Sequence, residues 1–386
     1  MATVPGNRSV VPRPGAHGDT SAVAVAVCEF GWGSIGKLRL VLDALPDGTP
    51  LIPYRFTGVA EDLLGLDRSR HRISDADVSE ARVALVINDP PMADELAALG
   101  VPVIYVDSLP YLWTSESEVP RPESTVVYCA QKFPRGRLQP FPVLAQRSDL
   151  TWIDPIVPAG RRRTGGEGVV VNIGGVHSHV AQDDLAAYES LVLPPTLDAL
   201  VRMGMPILAV CGHVSDEMSA ALHRILGQDT PVGRQSPKEF ESLLRRADLL
   251  VSSPGSTTLL QAMVIGLPTV LLPPQNLSQI LNARIFSRSD SEPMRWPTDV
   301  LCEDSIDAMR HEGEEVVVRH IYASLAAAAQ NGEASARVAS VIRCSLESIP
   351  KSGDLRDSIG DLGSRGADAV ARLIRQACFA PHRAED

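Results

Sequence analysis

Aromatic residues are scarce in this 386-residue sequence, at 4%. A core must therefore rest on Ala, Val, Leu and Ile. No apolar run approaches the ~20 residues that cross a bilayer. The N-terminal run Ser21–Cys28 is too short to do so, and the Pro/Gly-rich leader before it lacks the layout of a signal peptide. Residues 1–20 read as a flexible tail, and the expected location is cytoplasmic. The six cysteines, at 28, 129, 211, 302, 344 and 378, form no Cys-x-x-Cys pair. Reduced, mostly buried thiols are expected. Positive charge is also short: 36 Lys+Arg against 47 Asp+Glu give a net charge of −11. That argues against a nucleic-acid partner and against stable association with an anionic membrane.

What is present is ordinary for a globular chain, with 44% hydrophobic and 22% charged residues. The length predicts two domains. Ala22–Val27 reads as a strand, followed by the Gly-rich turn Glu29–Gly36 and a helix from Lys37 to Leu45. Val83–Ile87, Ala93–Leu99 and Val101–Val106 continue as strand, helix and strand. Continuous apolar strands of this kind belong to parallel sheets covered on both faces. The stretch 154–168 is rich in Pro, Gly and charge and reads as a linker. The alternation then restarts with strands at Val169–Ile173, Pro206–Cys211, Asp248–Ser252 and Thr269–Leu272. Helices are expected over Asp183–Met203, broken near Pro194-Pro195, and over Ser236–Arg246 and Ser256–Ile265. The fold class is α/β, with two Rossmann-like domains facing a cleft. The first spans 21–153 and the second 169–350, and a helical segment follows at 351–386.

The most informative segment runs from Ser252 to Ala283. A strand there ends in small residues and a helix begins at Ser256. Gly255 permits close backbone approach, and Ser253, Ser256, Thr257 and Thr258 place hydroxyls beside helix N–H groups. That chemistry suits a diphosphate. The segment resembles the donor-binding signature of GT-B glycosyltransferases. It is similar in pattern to the UDP-glycosyltransferases and to the lipid II-forming N-acetylglucosaminyltransferase. The shared landmarks are Pro254-Gly255, Thr258, Gln261-Ala262, Gly266-Leu267-Pro268, Ser278-Gln279 and Asn282-Ala283. The resemblance implies that Gly255, Ser256, Thr257 and Thr258 hold the diphosphate, Gln261 the ribose and Gln279 the sugar. It places Arg234 beside the base, and Gly174 and Gly175, with His177 beyond them, near the phosphates. Gln261 and Ser278 replace carboxylates of the pattern, and Ser34 stands where the family's catalytic His often sits.

Gly31-Trp-Gly-Ser-Ile-Gly36 also has the spacing of a dinucleotide fingerprint. No acidic residue ends the second strand, however, which argues against NAD(P). Under the GT-B resemblance, Gly33, Ser34, Gly36 and Lys37 shape the acceptor cleft. Inverting transfer needs a base, and Glu29, Asp89 and Asp107, at strand ends, are the candidates. Asp75-Ala76-Asp77 has metal-motif spacing but follows no strand, so no metal or other cofactor is expected. Glu29–Leu38 resembles the cytosylglucuronate synthases of antibiotic biosynthesis. That implies UDP-glucuronate as donor and cytosine, or another small antibiotic precursor, as acceptor. Lys37, Arg39 and Arg284 could meet a uronate carboxylate. A UDP-sugar 2-epimerase and a catalytically silent sugar-nucleotide-binding partner remain alternatives.

Overall fold

Strands made of unbroken Val, Ile, Leu and Ala build two sheets in the computed structural model, and every strand pairing in both is parallel. The structure describes residues 22–66, 72–74, 76–112, 122, 125–134, 144, 147–158, 166–175, 185–286, 294–312, 314–347 and 362–379. The first sheet holds β1 (Val23–Val27), β2 (Pro50–Pro53), β3 (Arg72–Ile73), β4 (Val83–Ile87), β5 (Val103–Asp107), β6 (Val127–Gln131) and β7 (Leu150–Ile153). Its order is β3-β2-β1-β4-β5-β6-β7. The second holds β8 (Val169–Asn172), β9 (Ile207–Cys211), β10 (Val232–Gly233), β11 (Leu249–Ser252) and β12 (Thr269–Leu271), in the order β10-β9-β8-β11-β12. Strand order reverses at β1/β4 in one sheet and at β8/β11 in the other. In such sheets ligands sit at the carboxyl ends of the strands flanking the reversal. The expected architecture of two Rossmann-like lobes is thus observed.

The lobe helices are α1 (Trp32–Asp43), α2 (Gly58–Leu64) and α3 (Pro90–Ala98), then α4 (Leu185–Arg202), α5 (Asp216–Leu226), α6 (Pro237–Arg246), α7 (Ser256–Val264) and α8 (Leu277–Phe286). Helices α9 (Glu303–Met309), α10 (Glu314–Ala329), α11 (Gly332–Glu347) and α12 (Gly366–Phe379) complete the chain. The expected break at Pro194-Pro195 does not occur, since both prolines lie inside α4. Packing overrides their propensity. Thr196 donates its hydroxyl to the Val192 carbonyl at 2.7 Å. Leu191, Val192, Leu193 and Leu197 are buried in one core with Ile321, Tyr322 and Leu325 of α10 and Val338 and Ile342 of α11.

Helix α12 departs from its neighbours in sequence. Val370, Ala371 and Ile374 are buried among Val23, Val41 and Leu85 of the first lobe. The chain therefore crosses back, and it does so beside Asp154-Pro155, where the Gly366 N–H meets the Pro155 carbonyl at 3.3 Å. Ile374→Ala should cost about 2–4 kcal/mol, the price of a core cavity. Urea unfolding of the variant checks this; a loss below about 1 kcal/mol would show that α12 is not part of that core.

A separate apolar cluster ties the lobes together behind the cleft. Tyr111 from the first lobe is buried with Leu259, Leu260 and Met263 of α7 and Ile285 and Phe286 of α8. The cysteines correct the expectation of mostly buried thiols: Cys129 and Cys211 are buried, Cys28 and Cys378 are half-buried, and Cys302 and Cys344 are exposed. Among the described residues, no helix is long and apolar enough to cross a membrane.

Candidate active site

The cleft lies between the carboxyl edges of the two sheets and encloses about 1210 Å³. Its floor is a direct contact between lobes. The Trp32 N–H, at the start of α1, donates to the Gly175 carbonyl at 3.3 Å. A Cβ on Gly175 would fall within the Trp32 ring, and one on Gly33 would come 2.9 Å from Thr257 Oγ1. These glycines are where they are because the lobes touch there.

Helix α7 opens into the cleft with Ser256, Thr257 and Thr258 on the wall. Its N-cap is Gly255, and no side chain caps it. The hydroxyls therefore do not consume the first N–H groups, and the helix end keeps its anion-binding capacity. The turn before α7 is held from two sides. Asn282 Nδ2 donates to the Pro254 carbonyl at 2.7 Å. Asn172 Nδ2 donates to Ser252 Oγ at 2.9 Å, joining the ends of β8 and β11.

The other expected donor residues also converge. Gly174, Gly175, Arg234, Gly255, Gln261 and Gln279 line the cleft. Gln279 Oε1 accepts from the Gln275 N–H at 3.1 Å. Arg234 sits at the rim, 3.7 Å from Asp62 of the opposite lobe. Ser253 does not form part of the wall. Its Oγ is buried without a hydrogen-bond partner, and a Cβ on Gly174 would approach it to 3.0 Å. His177 lies outside the described residues.

On the facing lobe, Gly33, Ser34, Gly36 and Lys37 line the cleft as expected. Gly36 has open space where a Cβ would stand. A dinucleotide fingerprint would need close helix–strand packing there. Lys37 is buried, 1% exposed, and its Nζ donates to Thr257 Oγ1 across the lobes. Burial pushes its pKa down to about 7. The sequence assigned Lys37 to the acceptor side; the structure brings it against Thr257 at the start of α7.

The candidate bases are largely engaged elsewhere. Glu29 Oε1 accepts the Thr57 N–H at 2.8 Å, and its Oε2 accepts the Thr57 hydroxyl. It braces the start of α2 and is not on the cleft wall. Asp89 caps α3, accepting from the Met92 N–H at 3.0 Å. Burial raises its pKa against that hydrogen bond. Asp107 does line the cleft, but Oδ2 accepts from the Tyr128 hydroxyl at 2.8 Å and Oδ1 from the Leu109 N–H at 2.9 Å. Glu29 and Asp89 thus serve helix starts, Glu29 at α2 and Asp89 at α3, and neither is on the cleft wall.

Of the other two residues expected to meet a uronate, Arg39 lines the cleft and Arg284 does not. Arg39 pairs with Asp43 at 3.1 Å. Arg284 is held by Asp307 and lies 3.8 Å from Glu303. Asp77 accepts from the Ser79 N–H at 2.9 Å, which with the Ser79 hydroxyl lowers its pKa, while Asp75 lies outside the described residues. Among the described residues, no group of three or more His, Cys, Asp or Glu could hold a metal ion.

Sequence reasoning missed Asn88. Its φ is 56°, in the left-handed region, where asparagine is tolerated. Its Nδ2 donates to Ser34 Oγ and to Ser108 Oγ, each at 2.8 Å, and its Oδ1 accepts the Ser108 N–H at 2.8 Å. These three residues form a hydrogen-bonded polar wall of the cleft. The available signal was an Asn directly after an apolar strand, in Asn88-Asp89-Pro90.

Several solved structures resemble the chain. Acinetobacter baumannii MurG is 12% identical with a TM-score of 0.47, covering 92% of this chain and 99% of that one. Arabidopsis thaliana UGT89C1 complexed with quercetin is 13% identical with a TM-score of 0.49, covering 92% and 99%. The glycotransferase of kitacinnamycin is 16% identical with a TM-score of 0.42, covering 95% and 100%. No curated protein sequence matches. A family profile does, over residues 58–346, which take in most of both lobes and the whole donor segment: the chain belongs to the CGA synthase-related protein family.

Proposed function

We propose that this chain is a GT-B glycosyltransferase that moves a sugar from a nucleotide-diphosphate sugar, of the UDP type, to a small acceptor. The observation that carries this is the uncapped start of α7, with Ser256, Thr257 and Thr258 facing the cleft at the β8/β11 reversal. As the bond from the anomeric carbon to the diphosphate breaks, charge grows on the leaving oxygens. Preorganised N–H groups and hydroxyls at a helix start stabilise such charge without reorganising. The reading invokes no metal. An acceptor on the Ser34–Asn88–Ser108 wall would attack from the opposite lobe, inverting the anomeric centre. Its proton would pass to a base, and Asp107 is the candidate carboxylate on the wall.

Family membership and the Glu29–Leu38 stretch favour UDP-glucuronate as donor and cytosine or a related antibiotic precursor as acceptor. A second reading is a silent sugar-nucleotide-binding partner, favoured by the hydrogen bonds already occupying Glu29, Asp89 and Asp107.

Incubation with a panel of UDP-sugars and acceptors, followed for UDP release and product mass, separates these. Transfer supports the enzyme, whereas donor binding with no turnover across the panel supports the partner. In the donor site itself, Thr257→Val with Thr258→Val should weaken donor binding by about 1–3 kcal/mol, from lost charge-assisted hydrogen bonds. Calorimetry on the folded double variant checks this, and unchanged affinity would remove the assigned site.

A further inference from the structure

Lys37 is the buried basic side chain among the described residues of the cleft, and no carboxylate pairs with it there. Its partner is a neutral hydroxyl, that of Thr257, one residue into α7. A cation enclosed this way, without a counter-ion, is costly. The charged groups on every element packed against α1 are directed elsewhere or carried away from it. On α1 itself Arg39 and Asp43 pair with each other at 3.1 Å. On α2, Asp62 lies 3.7 Å from Arg234 and Glu61 is exposed. On α12, Asp368 faces Arg365 at 3.6 Å, and Arg372 and Arg375 are exposed. Helix α7 and strands β1 and β4 carry no ionisable side chain. On the cleft wall, Asp107 is held by Tyr128 and Leu109.

We propose that Lys37 is a donor-positioning residue that captures a proton when an anionic diphosphate enters the cleft, so that the ammonium of one lobe and the helix start of the other close on the same phosphate. This rests on the donor-site reading above. The buried amine takes one proton from bulk solvent and becomes the ammonium, and the phosphate oxygens supply the counter-charge that no carboxylate of the cleft supplies. No bond is made or broken in the ligand. Burial lowers the Lys37 pKa to about 7 in the unliganded protein, and a bound phosphate raises it. Above pH 7 donor binding must therefore take up a proton, and affinity falls as pH rises toward the ligand-bound pKa.

The test is calorimetric titration with UDP-glucuronate from pH 6 to pH 8.5, in buffers of different ionisation heat. The donor's own diphosphate and carboxylate do not titrate in that range. Proton uptake is expected to rise from near zero at pH 6 toward one per donor at pH 8.5, with Kd rising by up to about tenfold per pH unit above 7. Lys37→Arg, which keeps a fixed charge, should bind with no such pH dependence. Lys37→Met should bind about 10- to 100-fold more weakly at pH 6.5, also without pH dependence. Wild-type binding that is independent of pH and takes up no proton overturns the role of Lys37 while leaving the donor site standing. Absence of wild-type binding at every pH, repeated with UDP-glucose, overturns the donor site and this inference together. The wild-type profile decides the matter even if a variant does not fold.

Discussion

Lys37→Met should make the unliganded protein more stable, by about 3–5 kcal/mol at pH 7, while impairing its use of a donor. Lysine ordinarily titrates at 10.5, and Lys37 in the folded chain near 7. Between those values the unfolded chain holds the extra proton, so wild-type stability rises with pH across that window and its penalty is complete below pH 7. A methionine fills the same space with no charge to bury. The gap between variant and wild type should therefore be widest at pH 6 and close as pH approaches 10. The lost hydrogen bond to Thr257 subtracts about 1 kcal/mol from the gain. Urea unfolding at pH 6, 8 and 10 measures it. Parallel stability curves for the two proteins would mean that Lys37 carries no buried-charge penalty. A stabilised but weakly binding variant is the pattern expected where a site holds an unfavourable group for function.

Gly175→Ala should lower kcat/KM for the donor by about 10- to 100-fold, without touching any hydroxyl or charge in the cleft. The added methyl has no room, because the Trp32 ring occupies its place. Either the ring turns away or the lobes part, and overpacking of this kind costs about 1–3 kcal/mol. The Trp32-to-Gly175 hydrogen bond, at 3.3 Å, is lost in the same movement. Under the proposed function the donor and acceptor walls belong to different lobes, so a shift of roughly 1 Å at this contact misaligns the reacting atoms. Gly33→Ala is the internal comparison. Its new methyl meets Thr257 Oγ1 at 2.9 Å, the end of a side chain that can turn, so the loss of stability should be smaller. Steady-state kinetics and thermal unfolding of both variants check the order. Wild-type kcat/KM in a folded Gly175→Ala protein would show that the Trp32 contact does not set the lobe arrangement.

The hydroxyl-bearing helix start on the cleft wall was legible before the structure because its signals are local. Gly255, Ser256, Thr257 and Thr258 are consecutive, and a strand followed by small residues and a helix start predicts an anion site from chain geometry alone. The base was not legible for the converse reason. An acidic residue after a strand reads the same whether it faces a cleft or is held by a neighbouring donor. Only the positions of Thr57, Met92 and Tyr128 distinguish the two for Glu29, Asp89 and Asp107. The unbroken α4 follows the same logic, since two prolines predict a break until the packing of α10 and α11 is known.

By itself, then, the sequence determined the two runs of buried parallel strands, the cleft at their carboxyl ends and the hydroxyl-bearing helix start. Each follows from residue order over a few positions. The tertiary structure alone decided that α12 returns to the first lobe, that Trp32 seats on Gly175, and that Lys37 lies against Thr257 with 220 positions of chain between them. A side chain's partners and its access to water are set by residues distant in sequence. They fix which charges are buried, and hence which groups in this cleft must wait for a ligand to balance them.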